Sequence, residues 1–367
     1  MRALAFLPAA LLIMACGDGR HPSGPAADAG PPQVDTIAVV DTLGLEIGDS
    51  CYVFGYISDA ATTPDGGLVL LDRVTGRVSV FDPENRFVTS FGGKGEAPDH
   101  FQWPLALARL GNGRIAVKDG MGGDVALFSA DGEFLRRIRG DARIDLTFRM
   151  EALGDSSWLT YGCPSRMVEG SFRQGYEVRV DDPCDTTPPR TIFSHTYVVG
   201  EDDFDFQPGY LCVTSDPSGR IYMHRMARDS YLIEVMDRHG NPLDSIRSDS
   251  VAIPLEDAPL FYSIPVATFS STDGEGNTVQ SRGENPANAP QVVSLGVDSA
   301  GNLWARRGTA FPPTFDIFSP EGDRLREVVA AGIADSSFVR FHTGPGGVIA
   351  WDLSPEDYPK VYRFGPR

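Results

Sequence analysis

The chain is poor in cysteine, with five among 367 residues. That excludes a small scaffold held by disulfides. Charge is sparse as well, at 22% of residues, and basic residues are the scarcer sign: 32 Lys and Arg against 50 Asp and Glu, a net charge of −18. So few charges exclude a coiled coil or long-helix bundle. The acidic balance argues against nucleic acid, whose phosphates require a basic face. Beyond the N-terminus no apolar run approaches the roughly 18 residues of a membrane span. What is abundant is glycine and proline, 40 and 28 residues, nearly a fifth of the chain. With 41% hydrophobic residues there is enough to bury, so the surplus points to many short strands and turns rather than disorder.

Residues 1–16 carry one positive charge at Arg2, an apolar run from Ala3 to Ala15, and then Cys16. A run of this length suits a secretory signal and is too short to span a bilayer. Leu12-Ile13-Met14-Ala15-Cys16 resembles a bacterial lipobox, which implies cleavage after Ala15 and acylation of Cys16. An ordinary signal peptide with an incidental cysteine is the plainer alternative. Residues 17–32 hold Gly, Pro, Ala, Ser and Asp with little to bury, as a flexible tether does. The expected organisation is a signal peptide at 1–15, lipidated Cys16 and tether over 16–33, and one folded domain over 34–367. The chain is then exported and anchored to a bacterial membrane, in the periplasm or at the cell surface.

One hairpin recurs within the domain. It reads Thr63-Pro-Asp-Gly-Gly-Leu-Val-Leu70, Leu110-Gly-Asn-Gly-Arg-Ile-Ala-Val117, Asp216-Pro-Ser-Gly-Arg-Ile-Tyr-Met223, Asp298-Ser-Ala-Gly-Asn-Leu-Trp-Ala305 and Thr343-Gly-Pro-Gly-Gly-Val-Ile-Ala350. A weaker copy, Leu153–Thr160, fills the gap after the second. A second hairpin follows most copies, at 78–88, 125–135, 233–243 and 315–325. Six units of four short strands predict an all-β, six-bladed β-propeller. The strand at 34–40 is expected to pair beside 360–364, closing the last blade and leaving no open edge.

Gly67-Leu-Val-Leu-Leu-Asp72, Arg77-Val-Ser-Val-Phe-Asp82 and Phe91-Gly-Gly-Lys-Gly-Glu through Phe101-Gln-Trp-Pro104 resemble an NHL repeat, and 113–138 resembles a second copy. The resemblance implies a six-bladed propeller of a kind often found as bacterial lipoproteins. Some relatives are enzymes with metal-binding His, or Asp, Glu and Asn, near the start of the innermost strands. Counting eight residues back from each turn glycine (Ser156 in the third unit) gives Ser58, Leu105, Phe148, Leu211, Val293 and Phe338. None is a zinc ligand or a carboxylate for calcium, so no cofactor or metal is expected. The histidines, His21, His100, His195, His224, His239 and His342, are scattered without ligand spacing and read as structural. No Gly-x-Ser-x-Gly elbow occurs, so no catalytic residue is assigned.

Irregular segments at 92–103, 163–175, 196–208 and 249–291 fall on the face of second-to-third loops and blade connectors. There Lys118, Arg225, Arg228, Arg306, Arg307 and Tyr210 are candidates for holding a carboxylate or phosphate, since Arg recognises planar anions bidentately. Ordinary ion pairing explains the same residues. The 249–291 insertion reads as a lid, a partner contact or a tolerated loop. Cys163 and Cys184 are the expected disulfide, with Cys51 and Cys212 unpaired. The function read from this is a monomeric, membrane-anchored binding module for a protein or small anionic ligand on the connector face. The alternative is a lyase, hydrolase or lactonase acting at the mouth of the central channel.

Overall fold

A computed structural model describes residues 34–120, 124–139, 146–168, 171–182, 189–198, 211–225, 227–257, 268–272, 278–282, 287–309, 311–334, 338–353 and 357–366. The repeated hairpins form four-stranded antiparallel sheets. Blade 1 comprises Ile57–Thr62, Leu68–Asp72, Arg77–Phe81 and Phe87–Gly92, in that order. Blade 2 comprises Pro104–Arg109, Ile115–Asp119, Asp124–Phe128 and Phe134–Ile138. Blade 4 begins at Cys212–Ser215, blade 5 at Val292–Val297 and blade 6 at Val339–Gly344. These first strands, with Leu146–Leu153 of blade 3, touch one another in sequence around a closed cycle, and the last returns to the first. The ring therefore has six blades around one axis.

The turns follow from local chemistry. Gly66 and Gly301 close their hairpins at φ of 93° and 82°, where a side chain would be strained. In the outer turns a short polar side chain does the same work. Asp82 accepts the N–H of Glu84 and Arg86, and Asp237 those of His239 and Asn241.

The second strands read as continuous apolar runs because each blade is covered on both faces. All five residues of Leu68–Asp72 are buried. Leu68 and Leu70 pack with Ile349 and Trp351 of blade 6, whereas Val69 and Leu71 pack with Leu107 and Val117 of blade 2. Ile221 and Met223 likewise turn toward blade 3, and Tyr222 toward blade 5. Period-two alternation thus assigns successive side chains to opposite neighbours. Each fully buried aliphatic contributes about 1.5–3 kcal/mol of transfer free energy.

Ring closure occurs as the sequence suggests and extends further. Val34–Leu43 pairs antiparallel with Val361–Pro366, from Ile37 opposite Pro366 to Leu43 opposite Val361. The same strand also pairs in parallel with Arg324–Ala331, the outer strand of blade 5, joining blades 5 and 6 into one eight-stranded sheet.

Blade 3 differs from expectation. The 163–175 segment, read as irregular, holds the strand Ser165–Val168, which folds back on Ser171–Asp181. The latter is an 11-residue strand that also pairs with Arg190–Val198. Within 249–291 the strands Thr268–Thr272 and Thr278–Arg282 form a hairpin. Among the described residues no helix is long and apolar enough to cross a membrane.

Candidate functional site

The first strands bring side chains to the axis, and a backbone irregularity decides which ones. In four blades this strand carries one extra residue relative to its partner. Ile57 and Asp59 sit opposite Asp72 and Leu71; the same shift spans Pro104 to Ala106, Thr147 to Arg149 and Val292 to Ser294. A β-bulge of this kind re-aims the residues around it. The inserted residues are Ser58, Leu105, Phe148 and Val293, which are the positions reached by counting back from the turn glycine. The count therefore lands on the bulge. The ionisable groups of the axis stand one to four residues further along, at Asp59, Arg149, Glu151, Arg340 and His342.

Asp59, Glu151 and His342 line a cavity of about 180 Å³. Its lining includes Asp59, Glu151, Thr214, His342 and Thr343, and it reaches first-to-second turns at Pro64, Gly111, Asp155, Pro217 and Pro345. It thus lies toward the tight-turn end of the axis. Asp59 accepts the N–H of Ala60 at 3.0 Å and, across the blade boundary, that of Leu107 at 2.9 Å. Burial pushes its carboxyl above the usual range, opposed by the charges of Arg340 and Arg149. Arg149 donates from Nε to Glu151 Oε1 at 2.7 Å, and burial raises Glu151 against that ion pair. Burial and then the charge of Arg149 push His342 down to about 3, so its imidazole is neutral at physiological pH. Thr214 and Thr343 are 4% and 7% exposed and line the same cavity. Cys212 is a buried free thiol, raised to about 12 by burial, and Cys51 is also free.

The sequence carried a signal for this cluster. Arg149 and Glu151, and Arg340 and His342, stand at alternate positions of strands whose intervening residues, Met150 and Phe341, are core. Polar residues alternating with core on an otherwise buried strand mark a face turned toward a cavity. His342 had read as structural, because its partners on the axis lie in other blades.

The cations singled out from the sequence occupy separate settings. Arg225 holds Glu234 through Nη2 at 2.8 Å and Nε at 3.0 Å, and its guanidinium lies 5.0 Å from the Phe193 ring centre. Arg307 holds both oxygens of Asp316, at 3.0 and 2.8 Å, and Glu327 at 2.7 Å. Arg306 stacks 4.8 Å from the Phe341 ring and donates to the Val339 carbonyl at 3.3 Å. Lys118 is buried, which lowers it to about 8 against the opposing charges of Asp181 and Asp124. The backbone carbonyl of Arg228 accepts from Gln291 Nε2 at 2.9 Å. Lys118 lies in blade 2, Arg225 in blade 4, and Arg306 and Arg307 together in blade 5. Tyr210, Cys184 and Cys16 lie outside the described residues, and of Cys163 only the backbone is described.

Two other histidines have local roles. His224 is fully buried with Nδ1 2.8 Å from the Leu232 carbonyl, and His100 pairs with Asp99 at 2.9 Å. Among the described residues no group of three or more His, Cys, Asp or Glu side chains is arranged to hold a metal ion.

A ring of six four-stranded blades around a cavity on its axis defines a six-bladed β-propeller. Solved structures similar to it agree in fold. A member of the DUF4221 family from Bacteroides vulgatus is 10% identical, covering 90% of this chain and 98% of its own, with a TM-score of 0.52. A gluconolactonase from Xanthomonas campestris is 16% identical over 94% and 99%, with a TM-score of 0.44. Virginiamycin B lyase from Staphylococcus aureus is 9% identical over 89% and 99%, also at 0.44. No family model matches the chain, and no curated protein matches it. At such identities the likeness concerns the fold alone.

Proposed function

We propose that this chain is an exported binding propeller, displayed from a bacterial membrane by acylated Cys16, that holds a small ligand in its axial cavity. The observation that carries this reading is the convergence of the Thr214 and Thr343 side chains with the neutral His342 imidazole, from blades 4 and 6, on one cavity. Pre-formed cavities with a few convergent polar groups and perturbed ionisable residues are the usual form of a ligand site. Binding on the connector face has less support, because Arg225 and Arg307 are already engaged by carboxylates.

The enzymatic alternative draws on Asp59 and Glu151, two carboxyls raised by burial in the same cavity as a neutral imidazole. One experiment separates the two. The full chain and an Ala152→Phe variant, which fills the cavity, are screened against small molecules by thermal shift, and each compound is recovered for NMR. A binding module stabilised by compounds that the filled variant ignores returns them unchanged; conversion of a hit identifies an enzyme. Display is tested by fractionation, in which Cys16→Ser moves the chain from membrane to soluble fraction.

A further inference from the structure

We propose that the connector face carries a separate binding site where blade 1 meets blade 2, built on Arg73, Lys94 and Trp103, for a small organic carboxylate with a flat body. It lies at the other end of the blades from the tight turns that the axial cavity reaches, and it does not rest on the reading of that cavity.

Local sequence brings these groups together. Tyr56 and Trp103 stand immediately before the first strands of blades 1 and 2, and Arg73 immediately after the second strand of blade 1. Asp72 fixes Tyr56 by accepting its backbone N–H at 3.1 Å, and Asp119 fixes Trp103 in the same way at 2.8 Å. The backbone N–H of Arg73 in turn bonds the Tyr56 carbonyl at 2.8 Å. Its guanidinium then lies 4.2 Å from the centre of the Tyr56 ring and 5.0 Å from that of Trp103. Lys94 Nζ lies 5.8 Å from the same Trp103 ring and donates to the Gln102 carbonyl at 2.7 Å.

A guanidinium stacked on rings keeps its N–H donors at the edge of its plane, in the fork that matches a carboxylate. The neighbouring carboxylates are committed to other donors. Asp72 accepts the N–H of Gly55, Tyr56 and Val74, and Asp119 takes those of Gln102 and Trp103 together with Arg137. Among the described residues no ion pair joins Arg73 or Lys94 to a carboxylate. Arg225, at the same place in blade 4, differs: it directs two donors at Glu234. Trp103 is 51% exposed, whereas Trp158, Trp304 and Trp351 are at most 8%. A half-exposed indole beside two cations offers a flat apolar surface to a ring that carries an acid. Charge selects a monoanion. Arg73 and Lys94 stand near Asp72 and Asp119 in a chain of net charge −18, where a phosphate dianion meets more repulsion than a carboxylate.

The test uses four probes on the full chain: benzoate, phenyl phosphate, benzyl alcohol and benzylammonium. Affinities are read by ligand-observed NMR and by quenching of tryptophan fluorescence, which reports the exposed Trp103. Benzoate is expected to bind most tightly, by at least about tenfold over the alcohol and the ammonium. Arg73→Met should weaken it about tenfold or more, the loss of a charge-assisted pair, and Lys94→Ala about threefold. Trp103→Leu, which serves where the arginine variant does not fold, should weaken it about fivefold. Ala152→Phe, which fills the axial cavity, should leave benzoate binding unchanged. Any other probe that binds as tightly as benzoate overturns the carboxylate class. Benzoate binding that survives both Arg73→Met and Trp103→Leu, that is lost in Ala152→Phe, or that is absent from the wild type overturns the site.

Discussion

Blades 1 and 2 are joined differently from blades 4 and 5. On entry to blade 2, Asp119 accepts the backbone N–H of Gln102 at 3.0 Å and of Trp103 at 2.8 Å. Arg137 joins it at 3.1 Å and donates onward to the carbonyls of Pro98 and His100. One buried carboxylate thereby fixes the course of the connector. Asp72 does the same for Gly55 and Tyr56. At the corresponding end of the second strand, blade 5 has Arg307, which binds side chains instead. Its partner Asp316 takes Arg307, Arg324 and, across the blade boundary, the hydroxyl of Tyr231. The connector into blade 5 is held by a neutral amide: Gln291 bonds the N–H of Val251 at 3.0 Å and the carbonyls of Val251 and Arg228 at 2.7 and 2.9 Å. The same hairpin repeat thus tolerates two ways of joining blades. Where a carboxylate binds backbone, the path is fixed by local sequence. Where it binds side chains, the blades are joined and the connector is free to vary in length.

Four experiments bear on this contrast. The largest effect is expected from removing residues 34–43, which supply the fourth strand of blade 6 and its link to blade 5; cooperative thermal unfolding should disappear by circular dichroism. An unchanged transition would show that side-chain links between blades suffice without the closing strand.

Asp316→Asn should cost about 3–5 kcal/mol, as breaking a buried ion pair does, and should change the acid response. Burial pushes Asp316 up, but Arg307 and Arg324 outweigh it and hold the carboxyl below the usual range. Its stabilisation is complete above the unfolded carboxylate value, about 3.9, and is lost as pH falls through the lower folded value. Wild type should therefore lose more stability than the variant below about pH 4 in denaturant titrations, whereas parallel acid limbs would remove Asp316 from that role.

Asp119→Ala should cost about 3 kcal/mol and Gln291→Ala about 2 kcal/mol, since hydrogen bonds to a charged group exceed those to an amide. Equal losses in urea melts would erase the distinction between the two latches. The smallest effect belongs to Arg225→Ala. Its pair with Glu234 is half-exposed, at 55% and 30%. A change under about 1 kcal/mol is expected, and a larger one would make this pair a structural element of blade 4.

The repeat was legible because its grammar is local. The hairpins at 63–70 and 298–305 announce themselves through a glycine that must turn and alternating residues that must be buried. The axial cluster was not legible by counting, because Ser58, Leu105, Phe148 and Val293 are inserted without any residue type that marks a bulge. Asp59 stood one position from the counted residue and Arg149 one from Phe148. Blade 3 resisted for another reason: Ser165–Val168 doubles back on Ser171–Asp181 within a stretch that carries neither hairpin pattern of the other blades.

The sequence by itself determined the six hairpin units, their turns and the strand that closes the ring, since each depends on neighbours within a few residues or on an edge left unpaired at the end of the chain. Only the tertiary structure decided which side chains share the axis. Asp59 and His342 are separated by most of the chain and meet because the ring returns on itself. Burial, a property of the assembled blades, then sets the charge of His342, in a cavity that Thr214 and Thr343 also line.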